Sequence, residues 1–68
     1  MPPFAIAGRI EVLDAQGRRI WSAPLEPGAG AVRWRGETER GGPALAGVYW
    51  VRLTRAREIQ SRRFVWLR

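Results

Sequence analysis

The sequence of 68 residues contains no cysteine, histidine, lysine or asparagine. Without cysteine, the chain can form neither disulfides nor thiolate metal sites. Without histidine, it lacks the imidazole that serves as a base and as a metal ligand. No long apolar run is present, so no segment is expected to insert into a membrane as a helix. We therefore expect a protein that is not an enzyme and that binds no cofactor or metal.

The length and composition predict one small folded domain with an excess of positive charge. A chain of this size holds a single domain with a thin core, and 46% apolar residues are too many for a disordered tail. All twelve cationic residues are arginine against six carboxylates, which gives a formal charge of +6. A GC-rich coding sequence is the simpler explanation of this bias. Selection for the bidentate chemistry of guanidinium groups is the alternative.

The distribution of turn residues predicts an all-β fold. Apolar and polar residues alternate between closely spaced turn signals, a pattern typical of β-strands. Tight turns are expected at residues 15–17 and 55–57, and loops rich in glycine and proline at 23–30 and 36–47. The five predicted strands are residues 4–14, 18–22, 31–35, 48–54 and 58–67. This order predicts a small antiparallel sandwich or open barrel.

The last predicted strand differs from the others because it is apolar on both faces near its end. Alternation places Phe64 and Trp66 on one face, and Val65 and Leu67 on the other. A strand with only one face in a core does not show this pattern. Either both faces of this segment are covered, or one of them is a docking surface.

Four segments resemble motifs of a bacterial immunoglobulin-like family. Residues 11–20 (EVLDAQGRRI) resemble its V-x-D-x-x-G-R-x-V hairpin, and residues 32–36 (VRWRG) resemble its W-D-G strand end. Residues 46–53 (AGVYWVRL) resemble its S-G-V-Y strand, and residues 62–68 (RRFVWLR) its basic-flanked apolar terminal strand. The family comprises the immunoglobulin-like domain of the flagellar hook-capping protein and the type A C-terminal sorting domains of type IX secretion cargo. Arg35 departs from the pattern, since the family usually has aspartate there.

The resemblance implies an immunoglobulin-like β-sandwich over residues 8–68, preceded by an extended segment at 1–7. Family members usually have a further strand pair upstream, so the sandwich is expected to lack one or two strands. Segment 1–7 is then a candidate edge strand or a strand exchanged between copies. The residues expected to have structural roles in the turns and core are Asp14, Gly17, Trp34, Gly36, Gly47, Tyr49, Val51 and Leu53.

The resemblance also implies a module that acts by protein–protein contact on exported bacterial proteins, as a C-terminal secretion or sorting domain. Its location would be the cell surface or the exterior, although this chain shows no signal peptide. The partners would be the secretion machinery or other copies of the chain. The residues expected to bind a partner are Arg63, Phe64, Val65, Trp66, Leu67 and Arg68.

Two other functions are kept as alternatives. An incomplete sandwich exposes unpaired strand edges, so the chain is also a candidate for a self-assembling oligomer or filament. A small basic β-domain is in addition a candidate for binding single-stranded nucleic acid, with Trp50, Phe64 and Trp66 as stacking rings beside Arg52 and Arg62. We rank nucleic acid below protein as a partner.

Overall fold

A computed structural model of the chain describes residues 8–26 and 33–67, which form four β-strands. The strands are β1 (Gly8–Leu13), β2 (Arg19–Leu25), β3 (Gly47–Arg55) and β4 (Glu58–Trp66). They make one open antiparallel sheet in the order β2-β1-β3-β4. The predicted all-β class is confirmed. These residues include no helix that could cross a membrane.

The described residues form four strands in a single sheet, in place of the five strands and two layers that we expected. The predicted strand at 31–35 is not formed in its described part, residues 33–35. Trp34 instead packs its ring on the sheet, while its Nε1 donates to the loop carbonyl of Glu37 at 2.8 Å. Segment 33–46 therefore covers the sheet as a loop. Residues 1–7, the expected N-terminal segment, lie outside the described residues.

Strand β2 extends further than the sequence predicts, because the prolines and glycines of residues 23–30 indicate a loop over that whole segment, whereas residues 23–25 belong to the strand. In the structure Pro24 pairs with Arg9 of β1, and the strand continues to the buried Leu25. Proline is tolerated here because β2 is an edge strand. The missing N–H lies on the side that has no neighbouring strand.

The register of the strands gives the sheet two different faces. Val12 lies opposite Val51, and Tyr49 lies opposite Phe64, so these residues share one face. We call it the covered face, because Trp34 and Ala44 of the loop pack on it. The other side, the open face, carries the intervening residues of β3 and β4, such as Trp50 and Arg63.

An irregularity in the β1–β2 pairing adds apolar area to the covered face. Val12 pairs with Trp21 and Leu13 pairs with Arg19, so Ile20 is an extra residue with no partner across the ladder. Such a bulge changes the direction of the side chains around it. Ile20 and Trp21 both pack against the core as a result.

Trp34 is the centre of an aromatic cluster on the covered face. Its ring lies 4.8 Å from Trp66 and 5.9 Å from both Tyr49 and Phe64, measured between centroids. Edge-to-face and tilted contacts of this kind add stability beyond the burial of area. The polar end of Tyr49 is satisfied within the loop, since its hydroxyl donates to the carbonyl of Leu45 at 2.6 Å. The rings therefore attach the loop to β3 and β4.

Gly36 allows the loop to approach the sheet closely. It has a φ of 82°, and a Cβ at this position would overlap the indole of Trp66. The amide of Ala44 donates to the carbonyl of Gly36 at 2.6 Å, and Glu37 forms a bridge with Pro43. Residues 36–44 of the loop thus form a small hairpin that has to begin with glycine.

Candidate functional site

The hairpin of β3 and β4 is built around a two-residue turn, Ala56-Arg57. Ala56 has a φ of 52°, and a positive φ at the first turn residue is what a type II′ turn requires. Arg55 and Glu58 flank this turn and are paired with each other. The pairing then continues without a register shift to Gly47 and Trp66.

This turn determines which backbone groups of β4 point away from the sheet. Residues that flank a two-residue turn form a hydrogen-bonded pair, and such pairs alternate with non-hydrogen-bonded pairs along an antiparallel ladder. Counting from Arg55 and Glu58, every second residue of β4 directs its N–H and C=O outward. These residues are Ile59, Ser61, Arg63 and Val65.

The four outward-directed residues have no neighbouring strand among the described residues, because β4 is the last strand of the sheet. Their eight backbone groups form what we call the open edge. The side chains of the same residues lie on the open face, where Ile59 is 67% exposed and Val65 is 62% exposed. Val65 pairs with the exposed Val48 of β3, which extends the apolar surface beside the edge.

The positive charge of the molecule is concentrated in the same hairpin. Residues 47–66 contain five arginines and one glutamate, a formal charge of +4. The other described residues, 8–26 and 33–46, contain six arginines and five carboxylates, which nearly cancel. Arg62 and Arg63 stand next to each other near the middle of β4 and are both exposed. Neither makes an ion pair with a described residue.

The acidic side chains are mostly engaged around β1 and β2. Glu11 is only 8% exposed, and its Oε1 accepts from Nε and Nη2 of Arg52 at 3.0 and 2.9 Å. Its Oε2 lies 3.8 Å from Arg19. Asp14 pairs with Nε of Arg18 at 3.0 Å. Their negative charge is therefore already neutralised by arginine, at a distance from the open edge.

The outer edge of β2 differs from the open edge of β4, because residues of the loop bind to it. The amide of Glu39 donates to the carbonyl of Ile20 at 2.7 Å. The Glu39 carboxylate also accepts from Nε of Arg19 at 3.1 Å and, more weakly, from the Ser22 hydroxyl at 3.4 Å. The loop thus occupies part of this edge, and Pro24 removes one donor from it.

A shallow groove of about 350 Å³ lies between the β1–β2 turn and the loop. It is lined by Asp14, Arg18, Arg19, Ile20, Thr38, Glu39 and Arg40. Most of its charges are already paired, Asp14 with Arg18 and Glu39 with Arg19. The groove is therefore mainly a seam where the loop meets the sheet.

The residues predicted to have structural roles lie at turns and on the covered face. In the β1–β2 turn, Oδ1 of Asp14 accepts from the amides of Gln16 and Arg18 at 3.0 and 2.9 Å, and Gly17 has a φ of 85°. The donation from the Arg18 amide, reinforced by its guanidinium, holds the pKa of Asp14 below its ordinary value. Gly47 begins β3. The remaining five residues are Trp34 and Gly36 in the loop and Tyr49, Val51 and Leu53 on β3.

The residues predicted to bind a partner are divided between the two faces. Phe64 and Trp66 point into the aromatic cluster and contact Trp34. Arg63, Val65 and Leu67 are exposed. Arg68 lies outside the described residues. Sequence reasoning missed Ile59 and Ser61, whose outward orientation follows from the two-residue turn once the pairing is known.

The three rings considered for nucleic-acid stacking do not share a surface. Phe64 and Trp66 lie on the covered face with Tyr49, whereas Trp50 pairs with Arg63 on the open face. Our sequence-based placement of these rings together was wrong. The reason is that antiparallel pairing puts Phe64 opposite Tyr49 and not beside Trp50.

In residues 8–26 and 33–67, no three acidic side chains are grouped as metal ligands would be.

Comparison of the chain with protein-family models, curated proteins and solved structures gave no match. The functional interpretation therefore rests on the geometry of the sheet, and above all on the contrast between its two outer strands.

Proposed function

We propose that this chain is a non-catalytic protein-interaction module that binds another polypeptide as an added strand along β4. The observation that carries the proposal is the open edge, where Ile59, Ser61, Arg63 and Val65 direct their backbone groups away from the sheet. In strand addition, main-chain hydrogen bonds supply affinity and the alternating side chains supply selectivity. Both are offered here by one nine-residue strand.

The free energy of backbone hydrogen bonds favours binding of an extended peptide segment over binding through a single hydrogen bond. Each backbone hydrogen bond contributes about 1 kcal/mol net, so several must form together to offset the ordering of the bound segment. Four outward residues at every second position of one strand allow this. The exposed side chains of Ile59 and Val65 add apolar contact at the two ends of the strand.

The wider proposal follows the family resemblance. The module would belong to an exported bacterial protein, act there as a secretion or sorting domain with an immunoglobulin-like sandwich, and receive a strand from the secretion machinery. An added strand would extend the β2-β1-β3-β4 sheet. Delivery of a reporter fused to residues 8–68 to the surface of a type IX-competent bacterium is the expected result. Retention in the periplasm would contradict this wider form while leaving strand addition intact.

Nucleic acid is the second candidate, and the charge of +4 in residues 47–66 favours it. The division of the aromatic rings between two faces weighs against it, because a stacking platform needs neighbouring rings. Self-assembly is the third. We rank it lower, because the loop occupies part of the β2 edge that a head-to-tail contact with β4 would use.

Substitution of Ser61 tests strand addition directly. Ser61→Pro removes one outward N–H and leaves the bonds between β3 and β4 in place, which proline permits on an edge strand. Ser61→Ala is the matched control, because it keeps the amide. Peptides of twelve random residues are selected by display on the wild-type chain, and their affinities are then measured by fluorescence anisotropy. We expect Ser61→Pro to weaken binding about tenfold or more, and Ser61→Ala to bind within about twofold of wild type.

Equal binding by Ser61→Pro and Ser61→Ala would overturn the proposal. So would a selection that yields no peptide contacting β4. Circular dichroism establishes that each variant is folded. If Ser61→Pro unfolds, a chemically synthesised chain with an N-methyl group on the Ser61 amide removes the same donor without the proline ring, and the same tenfold loss is expected.

A further inference from the structure

Arg62 and Arg63 determine the chemistry of the strand that β4 can accept. They occupy the middle of the strand, and successive residues of a strand point to opposite faces. Arg62 therefore lies on the covered-face side with Phe64, and Arg63 lies on the open face with Val65. Both are exposed. A strand added beside β4 must place a residue opposite each of these guanidinium groups.

We infer that β4 selects a strand of another protein that carries two adjacent acidic residues, one opposite Arg62 and one opposite Arg63. This inference rests on the proposed strand addition. Directly opposed side chains on neighbouring strands have Cβ atoms about 5 Å apart, a distance at which a carboxylate can form a bidentate pair with arginine. Adjacent acids are required because an added strand alternates its side chains between the same two faces.

The exposed apolar residues extend this pattern. An antiparallel strand, the arrangement of every other pair in the sheet, meets Val65 first, then Arg63, Arg62 and finally Ile59. The preferred partner then has the order apolar, any, acidic, acidic, any, any, apolar. Val65 and Ile59 are more than 60% exposed, so each has apolar area left to bury against such a partner.

The same two arginines disfavour a second copy of the chain as the added strand. Full antiparallel overlap of two β4 strands, Glu58 against Trp66, places Arg62 opposite Arg62. A shift of two residues places Arg63 opposite Arg63. Like charges directly opposite each other are destabilising, and charged residues are a common protection against pairing between edges. The charges thus oppose self-pairing in these two registers and favour an acidic partner.

Three synthetic peptides test the inference. The first is Thr-Val-Thr-Glu-Glu-Thr-Thr-Val-Thr, which matches the pattern. The second replaces both glutamates by glutamine. The third, Thr-Val-Thr-Glu-Thr-Glu-Thr-Val-Thr, has the same composition as the first but places both glutamates on one face. Affinities are measured by fluorescence anisotropy. We expect the first peptide to bind about tenfold more tightly than the second, and the third to lie between them.

Two double variants of matched charge separate pairing from long-range attraction. Arg62→Gln with Arg63→Gln removes the two facing groups, and Arg33→Gln with Arg57→Gln removes two exposed charges outside β4. The first pair should abolish the preference for the acidic peptide, whereas the second should largely retain it. An equal loss in both double variants would overturn the inference, because the attraction would then depend only on net charge.

The failure of the inference and that of the proposed function give different results. If the glutamine peptide binds as tightly as the acidic one and Ser61→Pro still weakens both, strand addition stands and the acidic preference is wrong. If no peptide is affected by Ser61→Pro, strand addition itself is wrong. A single-stranded thymidine oligonucleotide is tested alongside. Tighter binding of this oligonucleotide than of any peptide, with loss in the Arg62 and Arg63 double variant, would overturn the inference in favour of nucleic acid.

Discussion

The two outer strands of the sheet, β2 and β4, differ in how far the backbone groups on their outer edges have partners. Along β2, Glu39 of the loop donates to the Ile20 carbonyl and pairs with Arg19, and Pro24 removes a donor. Along β4, four residues direct their backbone groups outward with no neighbouring strand in the described part of the chain. The β2 edge is therefore partly occupied by the loop, whereas the open edge has no backbone partner among the described residues. The difference depends on the loop, whose backbone donates to the edge of β2 and, among the described residues, makes no hydrogen bond to the outer edge of β4.

The largest expected effect comes from releasing the loop. Gly36→Ala forces a side chain into a positive φ and into the indole of Trp66, and we expect a loss of about 3 kcal/mol. Gly41→Ala is the matched control, because Gly41 has a similar φ of 88° with no atom near a Cβ. Its cost should be about 1 kcal/mol. Urea unfolding followed by tryptophan fluorescence measures both.

A loss of 3 kcal/mol is a large part of the stability of a domain this small, whose core supplies about 3–5 kcal/mol. Gly36→Ala should therefore have a much larger unfolded population at room temperature, in which both edges are lost together. Equal losses in the two glycine variants would mean that the contact with Trp66 does not hold the loop on the sheet.

The second effect concerns the ion pair between the two central strands, Glu11 of β1 and Arg52 of β3. Glu11→Ala leaves Arg52 without the carboxylate oxygen that accepts from both Nε and Nη2, so we expect a loss of about 2 kcal/mol. Glu58→Ala on β4 is the control. Glu58 makes no ion pair within the described residues, and its removal should cost less than about 0.5 kcal/mol. Thermal unfolding measures both losses. Similar losses from the two substitutions would mean that the ion pair of Glu11 with Arg52 does not stabilise the fold.

The third effect is a gain of stability in the hairpin that builds the open edge. Ala56 adopts a φ of 52°, which costs a residue with a Cβ about 1 kcal/mol relative to glycine. Ala56→Gly should therefore raise the free energy of unfolding by up to about 1 kcal/mol. Arg57→Gly, at the neighbouring position without a positive φ, should lower it. Calorimetry measures the stability of both variants. A loss of stability in Ala56→Gly would contradict the type II′ turn at Ala56-Arg57.

The smallest effect is the pH dependence contributed by Asp14. Hydrogen bonds from the Arg18 amide, with further donation from its side chain and from Gln16, lower the pKa of this carboxyl in the folded state. Its contribution is thus fully present above the ordinary pKa of about 3.9. It is lost as the pH falls from there through the lower folded pKa. The difference in melting temperature between wild type and Asp14→Asn should shrink over that interval.

The cause of this pH dependence can also be checked. The largest contribution comes from a backbone amide, which salt does not screen as it screens the charge of Arg18. The difference between wild type and Asp14→Asn should therefore persist in about 1 M salt. Its disappearance would mean that the guanidinium of Arg18 is the main cause.

Local features of the fold could be predicted from the sequence, whereas the long-range ones could not. Alternation in residues 48–54 and 58–67 predicted two strands that the structure forms nearly as expected. The pairing of β1 with β3 joins segments about forty residues apart, and no local pattern determines it. Residues 33–35, the described part of the strand expected at 31–35, do not form a strand, because Trp34 packs against three rings in place of joining a ladder.

The candidate site was predictable only in part, for a related reason. The end of β4 is apolar on both faces, so the sequence alone does not show which face the loop covers. The structure assigns Phe64 and Trp66 to the covered face and leaves Val65 exposed. The open edge was harder still to predict, because β4 becomes an edge strand only through the order of the whole sheet.

Amide hydrogen exchange of the β4 residues, measured by NMR with and without the acidic peptide, tests the central claim most directly. In the free protein, we expect the outward amides of Ile59, Ser61, Arg63 and Val65 to exchange quickly and the inward amides of Gln60, Arg62 and Phe64 to exchange slowly. A saturating amount of peptide should slow the four outward amides about tenfold or more. Outward amides that are already protected in the free monomer, or that stay fast when the peptide is bound, would contradict the account.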